Sequence, residues 1–288
     1  RANNILYVKS DVNEVYSHAA EIRSVSEDAS KPIRTLSVRI VREQPSKKNN
    51  NIVVNVPNIR KPVPLFILMR ALGIISDKDI IETCLLDLDA HKELHELFIP
   101  SIYDAGHIFT QQAALKYLAT LTKGKTINHV VDILMNYFLP HIGELNFKHK
   151  ALYIGYIVKR LLMVYIKAEL PTNRDKYNYK RIEHTGILIS ELFREYYKKQ
   201  LNDINLKIDN EYFFKNNSFS YQNENFPNLI TNNIDLVFSE KLVQEGFRKA
   251  FKGNWGADAH TKRVGIAQTL NRLSFFSFMC QLRKTNLP

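Results

Sequence analysis

The sequence predicts an α+β protein that is mainly helical, with a small antiparallel sheet near its start. Alternation of apolar and polar residues lies near the start, whereas helical periods fill most of the remaining chain. The chain has 288 residues, 45% of them hydrophobic, which suffices for one large domain or two ordinary domains with their own cores. Ten Gly and ten Pro exclude collagen-like and low-complexity chains.

The predicted sheet depends on two neighbouring segments. Residues 33–41 alternate between apolar and polar side chains, and residues 52–56 do so again. The polar run 46–51 between them is typical of a turn. These segments therefore predict a β-hairpin.

Helical periodicity then recurs along the chain. It predicts helices over 65–72, which Gly73 ends, and over 77–86, 91–97, 111–121, 128–138, 151–168, 186–208 and 236–251, with one or two short helices over 266–282. Thr110 and Thr126 are predicted N-caps. Residues 210–233, rich in Asn and Phe, show no sustained period and are predicted to form an irregular connection.

The longest apolar stretch, 151–166, is interrupted by Lys159 and Arg160, which favours a buried amphipathic helix over a membrane span. No segment resembles a signal peptide, and the chain opens without Met and stops just after a basic segment. We therefore expect a soluble section of a longer protein. Cys84 and Cys280 are too few for a disulfide framework or a structural zinc site, which fits a reducing compartment.

The net charge of +11 is unevenly distributed. It amounts to +2 over 1–143, +6 over 144–200, −2 over 201–250 and +5 over 251–288. A dense basic segment attracts phosphates and releases counterions from a nucleic acid. An ordinary solvated basic face explains the charge alone equally well.

Three patterns point away from catalysis. Residues 124–126 (Gly-Lys-Thr) resemble the end of a phosphate-binding loop, but Ala119 stands where that loop needs Gly, so a helix-ending turn is favoured. His91 and His95 share one helix face and could pair on a metal, but no third ligand is placed nearby, which favours a solvated acidic helix. Nucleophile-elbow, dinucleotide-binding and two-magnesium patterns are missing from the sequence, so we expect no catalytic residues.

The most informative stretch runs from residue 253 to residue 288. A Gly-flanked loop, which holds the only Trp, is predicted to be exposed. It is followed by turns that alternate apolar anchors with Arg, Gln and Asn. Arg and Lys position phosphates, and Gln and Asn bond to sugar hydroxyls or bases. This composition predicts a track for a nucleic acid strand.

At these residues the sequence resembles the second-largest (β-like) subunit of multisubunit DNA-directed RNA polymerases of the RNA polymerase II type. The resemblance covers essentially the whole chain. Its matching segments, in the expected order, are residues 21–24 (Glu-Ile-Arg-Ser), 70–80 (Arg-Ala-Leu-Gly-Ile-Ile-Ser-Asp-Lys-Asp-Ile), 139–142 (Leu-Pro-His-Ile), 174–175 (Arg-Asp), 180–181 (Lys-Arg), 253–256 (Gly-Asn-Trp-Gly), a predicted helix over 265–272 and 282–286 (Leu-Arg-Lys-Thr-Asn).

The resemblance implies three parts: a lobe over 1–180, the second part of the protrusion over 181–250, and the start of the fork over 251–288. It places Gln268 and Lys284 at positions that face the RNA strand near the active centre. Further nucleic-acid-binding candidates lie in the same matched segments or in the first fork loop: Arg263, Asn271, Arg272, Arg283, Lys252 and Lys262. Some of these side chains could instead form salt bridges that support the fork.

The sequence departs from the family at a few positions. Val264, Ala267 and Lys284 stand where the family usually has Ala, Ser and Arg. Lys keeps the charge but loses the bidentate geometry with which Arg binds phosphate, so a looser contact is expected at Lys284. Residues 210–233 match the family poorly.

The expected function is therefore that of a section of an RNA polymerase subunit, which lines the nucleic-acid cleft and contacts the RNA–DNA hybrid. The resemblance implies a nucleotidyltransferase complex whose magnesium and structural zinc are held elsewhere, so this chain is expected to hold no cofactor, to contain no catalytic residue and to be inactive alone. Implied partners are the largest subunit, other polymerase subunits, the DNA template and the RNA transcript, with no membrane.

The implied location is the nucleus, or the virion or viral factory of a large DNA virus. The alternative is a freestanding helical module that binds nucleic acid or protein and has no enzymatic parent. The adjoining coding sequence distinguishes the two, because the polymerase requires a Gly-Arg-Asp-Gly-like continuation.

Overall fold

An antiparallel sheet opens the chain in the computed structural model, which describes residues 2–26, 33–43, 50–88, 91–216, 227, 231–238 and 241–284. Its strands are β1 (Leu6–Ser10), β2 (Tyr16–Ser24), β3 (Arg34–Val41), β4 (Ile52–Asn55) and β5 (Val63–Pro64). They pair in sequence order as a five-stranded sheet. The predicted hairpin is confirmed as β3 and β4, whose register pairs Val38 with Val54. The strands β1, β2 and β5 were not predicted.

The two faces of this sheet differ in polarity. Because side chains alternate along a strand, the cross-strand partners Val8, Ala20 and Val38 share one face, where all three are buried. Glu21 and its partner Tyr7 lie on the opposite face. Each strand is therefore apolar towards the core and largely polar on its other side.

The helices after the sheet complete the core. They are α1 (Leu65–Ala71), α2 (Asp77–Leu85), α3 (Lys92–His95), α4 (Ile99–Ala105), α5 (Gln111–Leu121), α6 (Ile127–Asp132) and α7 (Phe147–Tyr165). Every residue of α1 is buried. Helix α7 packs against β1, β2 and β3, and its apolar residues at helical spacing are buried, among them Ile154, Leu161 and Leu162. The predicted fold class, α+β and mainly helical, is confirmed.

Local signals located several helix ends correctly. Helix α5 has the predicted bounds, and the Thr110 hydroxyl caps it by accepting a hydrogen bond from the backbone N–H of Ala113 at 3.3 Å. Thr126 caps α6 in the same way. The predicted helix over 128–138 begins one residue earlier and, after Asp132, continues as a π-helical turn, Ile133–Tyr137.

Two buried cations hold this part of the chain together. The guanidinium of Arg70, 2% exposed, donates to the carbonyl of Ile75 at 3.3 Å, to that of Ile108 and to the carboxylate of Asp77. The ammonium of Lys150, fully buried, donates to two carbonyls of the π-helical turn, at 2.7 and 2.9 Å, and to that of Glu144 at 3.4 Å. Buried and part-buried backbone carbonyls of turns and loops are thereby bonded to the two cations.

The chain divides into two compact units, one of residues up to Arg181 and one from Ile182 onwards. The second unit contains α8 (Thr185–Asn216), α9 (Ile234–Val237), α10 (Lys241–Phe251) and α11 (Phe275–Arg283). Its own small core is formed by Leu192, Tyr196, Ala250 and Trp255. Helices α8 and α10 approach closely there, since a Cβ on Gly246 would lie 2.4 Å from the Tyr196 ring.

Two predictions for this second unit are wrong. Helix α8 runs on to residue 216, so the start of the predicted irregular connection is helical; most of the remainder, 217–226 and 228–230, lies outside the described residues. The predicted helix over 265–272 is not formed, because Gly265 has φ +83° and Leu270 and Arg272 are exposed. A short amphipathic segment needs a surface to bury its apolar side before it becomes helical.

Within the described residues, no helix is long and apolar enough to cross a membrane. The apolar stretch that contains Lys159 is part of α7. The Lys159 ammonium donates to the carbonyl of Leu85 at 3.3 Å.

Candidate nucleic-acid interface

The loop around the only Trp is partly buried. Trp255 is 7% exposed, and its ring meets Phe251 edge-on, with 6.4 Å between ring centroids. Its carbonyl accepts a hydrogen bond from the backbone N–H of Arg263 at 3.0 Å, which closes the loop. The loop predicted to be exposed is therefore only partly so: His260 is exposed, but Trp255 is not, because an indole ring has a large apolar area that packing removes from water.

Helix α8 fixes the position of this loop. The Glu195 carboxylate accepts from the backbone N–H of Ala257 at 3.0 Å. The Lys199 ammonium donates to the carbonyl of the same residue at 2.6 Å and pairs with Asp258 at 2.9 Å. The backbone N–H and the carbonyl of Ala257 are thus bonded to two side chains that lie one helical turn apart on α8. These bonds anchor the loop to the helix.

The turn itself requires glycine. Gly256 has φ +101°, and a Cβ there would lie 2.4 Å from the carbonyl oxygen of Thr261. The Thr261 hydroxyl accepts from the backbone N–H of Asp258 at 3.0 Å. Any other residue at 256 combines an unfavourable backbone conformation with a steric clash.

Arg263, one of the predicted nucleic-acid ligands, faces α8 and the residues before it. Its Nη1 lies 2.8 Å from both carboxylate oxygens of Glu183, and its Nη2 lies 3.9 Å from Glu191. Burial raises the pKa of Glu191, and the Arg263 charge opposes that rise. The geometry therefore gives Arg263 a salt-bridge role, one of the alternatives that the sequence left open.

Lys252 and Lys262 lie at the two ends of the loop, and both are exposed. Lys252 follows α10, whose last residue is Phe251. Neither ammonium forms a salt bridge with any residue that the structure describes. Both charges are available to an external anion.

The segment after the loop, residues 264–273, has no regular secondary structure, and one side chain of α11 bonds to its backbone. The Gln281 carboxamide, on α11, donates to the carbonyl of Thr269 at 2.9 Å and accepts from the backbone N–H of Asn271. The Asn271 side chain accepts from the backbone N–H of Leu273 at 2.9 Å, and the Gln268 amide donates to the carbonyl of Gly265 at 2.7 Å. The polar ends of Gln268 and Asn271 therefore already have local partners, although both residues are exposed.

Arg272, Arg283 and Lys284 are exposed, and none forms a salt bridge with the part of the chain that is described. Large apolar neighbours are exposed beside them: Leu273 is 90% and Phe276 is 79% accessible. A surface of this composition can hold a phosphate backbone by charge and contact bases or protein through its apolar side chains.

The predicted candidates fall into two groups. One group belongs to the irregular segment 264–273, to α11 and to the residue after it: Gln268, Asn271, Arg272, Arg283 and Lys284. The other group belongs to the anchored loop: Lys252, Lys262 and Arg263. Sequence reasoning missed the positioning residues Glu195, Lys199 and Gln281. No local pattern reveals them, because each bonds to a residue at least 10 positions away.

No group of three or more His, Cys, Asp or Glu side chains that could hold a metal occurs among the described residues. Helix α3 begins after His91 and includes His95, and Thr126 serves as the cap of α6. Thr126 therefore has the predicted capping role, at the start of α6 and not at the end of a helix. The solvated acidic helix predicted around His91 and His95 is a four-residue helical turn in which Leu94 is buried.

Comparison with known proteins places the chain in a family. The model described as RNA polymerase Rpb2, domain 2, matches residues 2–183. The DNA-directed RNA polymerase II subunit RPB2 of Encephalitozoon cuniculi is 36% identical over 299 aligned positions, covering 100% of this chain and 24% of that protein. The DNA-directed RNA polymerase II subunit 2 of Arabidopsis thaliana is 32% identical, covering 99% of this chain and 24% of that protein.

An archaeal relative is more distant. The DNA-directed RNA polymerase subunit Rpo2 of Saccharolobus solfataricus is 27% identical over 82% of this chain. The chain spans about a quarter of the length of the RNA polymerase II relatives. Because the family model matches well over half of its residues, the chain belongs to the Rpb2 family, the second-largest subunits of DNA-directed RNA polymerases.

Proposed function

We propose that this chain serves in a DNA-directed RNA polymerase by lining the nucleic-acid cleft and contacting the RNA–DNA hybrid. Residues 1–180 would form the lobe, 181–250 the second part of the protrusion and 251–288 the start of the fork. The observation that carries the proposal is the concentration of exposed cations on one short segment. Arg272, Arg283 and Lys284 are exposed without salt bridges within the described residues, whereas Arg263 is paired within the same unit.

The chemistry of this segment fits binding better than catalysis. Arginine and lysine side chains supply phosphate contacts, and Gln268 and Asn271 supply polar groups that can exchange their local partners for a ribose or a base. We propose that the chain alone is inactive, and that nucleotidyl transfer, the magnesium and the structural zinc belong to other parts of the assembled polymerase. Template-dependent incorporation of nucleoside triphosphates by the purified chain would contradict this.

The partners proposed are the largest subunit, further polymerase subunits, the DNA template and the RNA transcript. The proposed location is the nucleus, or a virion or viral factory if the gene is viral. The exposed Phe275 and Phe276, 72% and 79% accessible, fit burial against other parts of such an assembly.

The decisive experiment uses a complete, assembled polymerase that carries Lys284→Ala or Arg272→Ala. Elongation complexes on an RNA–DNA scaffold are challenged with increasing KCl, and the fraction of RNA retained is measured. Each lost phosphate contact should lower the slope of log affinity against log salt by about 1. Lys249→Ala is the matched control, because Lys249 is an exposed lysine on α10, outside the proposed contact segment. If Lys284→Ala and Lys249→Ala behave alike, the proposed contact does not exist.

A further inference from the structure

The polar face of the sheet bears a cavity that the proposed function does not use. It has a volume of about 360 Å³ and belongs entirely to the first unit. Its lining residues are Tyr7, Glu21, Arg23, Thr35 and Arg174. Two of the segments that carry the family resemblance, 21–24 and 174–175, thus meet here although they are far apart in sequence.

Strand register builds the floor of this cavity. Tyr7 is the cross-strand partner of Glu21, and Arg23 is the partner of Thr35. Residues two apart on a strand point to the same face, so Glu21 and Arg23 lie side by side on the face opposite to the buried Ile22. The cavity floor is therefore formed by regular, well-supported strands.

Most of the polar groups in the cavity are already paired. The Glu21 carboxylate binds Lys9 at 2.8 Å and also binds Arg174. The Tyr7 hydroxyl donates to the carbonyl of Tyr179 at 3.2 Å, and the Arg174 guanidinium lies 5.6 Å from the centre of the Tyr7 ring. These contacts fix Glu21, Arg174 and Tyr7 in place.

Arg23 and Thr35 differ from these residues. Neither side chain makes a hydrogen bond or an ion pair with any residue that the structure describes. A guanidinium and a hydroxyl on directly paired positions thus face the cavity together. Arg binds planar carboxylates in a bidentate manner, and an adjacent hydroxyl can donate a further hydrogen bond.

We propose that this cavity receives the side-chain carboxylate of an acidic peptide segment from a partner protein, bound by Arg23 and Thr35. A nucleic acid strand is held by a row of cations along its phosphates, whereas the described residues that line this cavity offer one unpaired guanidinium, that of Arg23, because Arg174 is already paired with Glu21. A peptide suits the mixture better, since it offers one carboxylate to Arg23 and backbone N–H groups to the oxygens of Glu21.

The test measures fluorescence anisotropy with the whole chain and a labelled peptide that carries one carboxylate side chain, Ser-Gly-Ser-Glu-Ser-Gly-Ser. Its counterpart with Gln in place of Glu and an unlabelled duplex DNA are the comparison ligands. Arg23→Gln should weaken binding of the acidic peptide about 10-fold or more, since a hydrogen-bonded charge pair is lost. Thr35→Val should weaken it by a smaller factor, about 3-fold.

Arg39→Gln is the matched control. Arg39 lies on the same sheet face, is half-buried like Arg23 and has its guanidinium 5.0 Å from the centre of the Tyr16 ring, outside the cavity. This substitution removes the same charge and should change the affinity less than about 2-fold.

The proposal is overturned if both arginine variants weaken binding equally, if the uncharged peptide binds as well as the acidic one, or if duplex DNA displaces the peptide and depends on Arg23. Thermal unfolding of each variant checks folding. If Arg23→Gln does not fold, Thr35→Val decides between the outcomes.

Discussion

Basic residues of the same type have opposite surroundings in two regions of this molecule. In the first unit, Arg70 and Lys150 are buried and bonded to backbone carbonyls. In the segment from 264 to 284, Arg272, Arg283 and Lys284 are exposed. The first pair holds helix ends and turns together, whereas the second group is left for partners outside the chain. The role of a basic residue is therefore decided by what it faces, and the net charge of +11 does not distinguish the two.

The largest effect is expected at the buried lysine. Lys150→Met removes a cation that donates to three backbone carbonyls, one of them in a buried hydrogen bond and two in part-buried ones. We expect the free energy of unfolding to fall by about 3 kcal/mol, measured by urea unfolding followed by circular dichroism.

Lys148→Met is its control, since Lys148 is exposed on the same helix. A change within about 0.5 kcal/mol is expected there. Equal effects of the two substitutions would show that the buried ammonium does not hold the π-helical turn.

A smaller effect is expected at the anchored loop. Gly256→Ala places a Cβ 2.4 Å from a backbone oxygen, whereas Gly253→Ala at φ +106° meets nothing within 4 Å. We expect about 1 kcal/mol of destabilisation from the positive φ at Gly253 and at least about 2 kcal/mol at Gly256, where the clash adds to it. Fluorescence of Trp255, the only Trp, follows unfolding of this unit. Equal losses would mean that Thr261 moves away freely.

The smallest expected change in stability distinguishes the paired Arg263 from the exposed Arg272. Arg263→Gln breaks the half-exposed pair with Glu183 and should lower stability by less than about 1 kcal/mol, because solvent screens such pairs. Arg272→Gln should leave stability unchanged. In the assembled polymerase the order of the two effects should reverse. There, Arg272→Gln should lower the fraction of RNA that elongation complexes retain in KCl more than Arg263→Gln does. The comparison fails if Arg272→Gln destabilises the chain more than Arg263→Gln does.

Local signals in the sequence were sufficient for part of the fold. The alternation in β3 and β4 and the caps at Thr110 and Thr126 operate over a few residues, so these elements could be predicted. Strand β2 could not, because its sequence around Ala19 and Ala20 has no clean alternation, and its conformation comes from pairing with strands on both sides.

The candidate site was less predictable than the fold. The composition of 253–288 indicated nucleic-acid chemistry, but it could not show that Trp255 is buried or that Arg263 is paired with Glu183, 80 positions earlier. The helical period over 265–272 predicted a helix that is not formed. Periodicity shows which side chains a helix could bury, but it does not show whether the chain provides a surface against which to bury them. Contacts between distant positions decide these points.

The carboxamide of Gln281 has a mechanical consequence. It bonds a carbonyl and an N–H two residues apart, much as a peptide group of a neighbouring strand would. Helix α11 and the backbone of 269–271 are thereby coupled, so a displacement of the helix is passed directly to the backbone that carries Leu270. A force applied at the exposed aromatic end of α11 would therefore also displace residues 269–271, in the segment proposed to face the RNA.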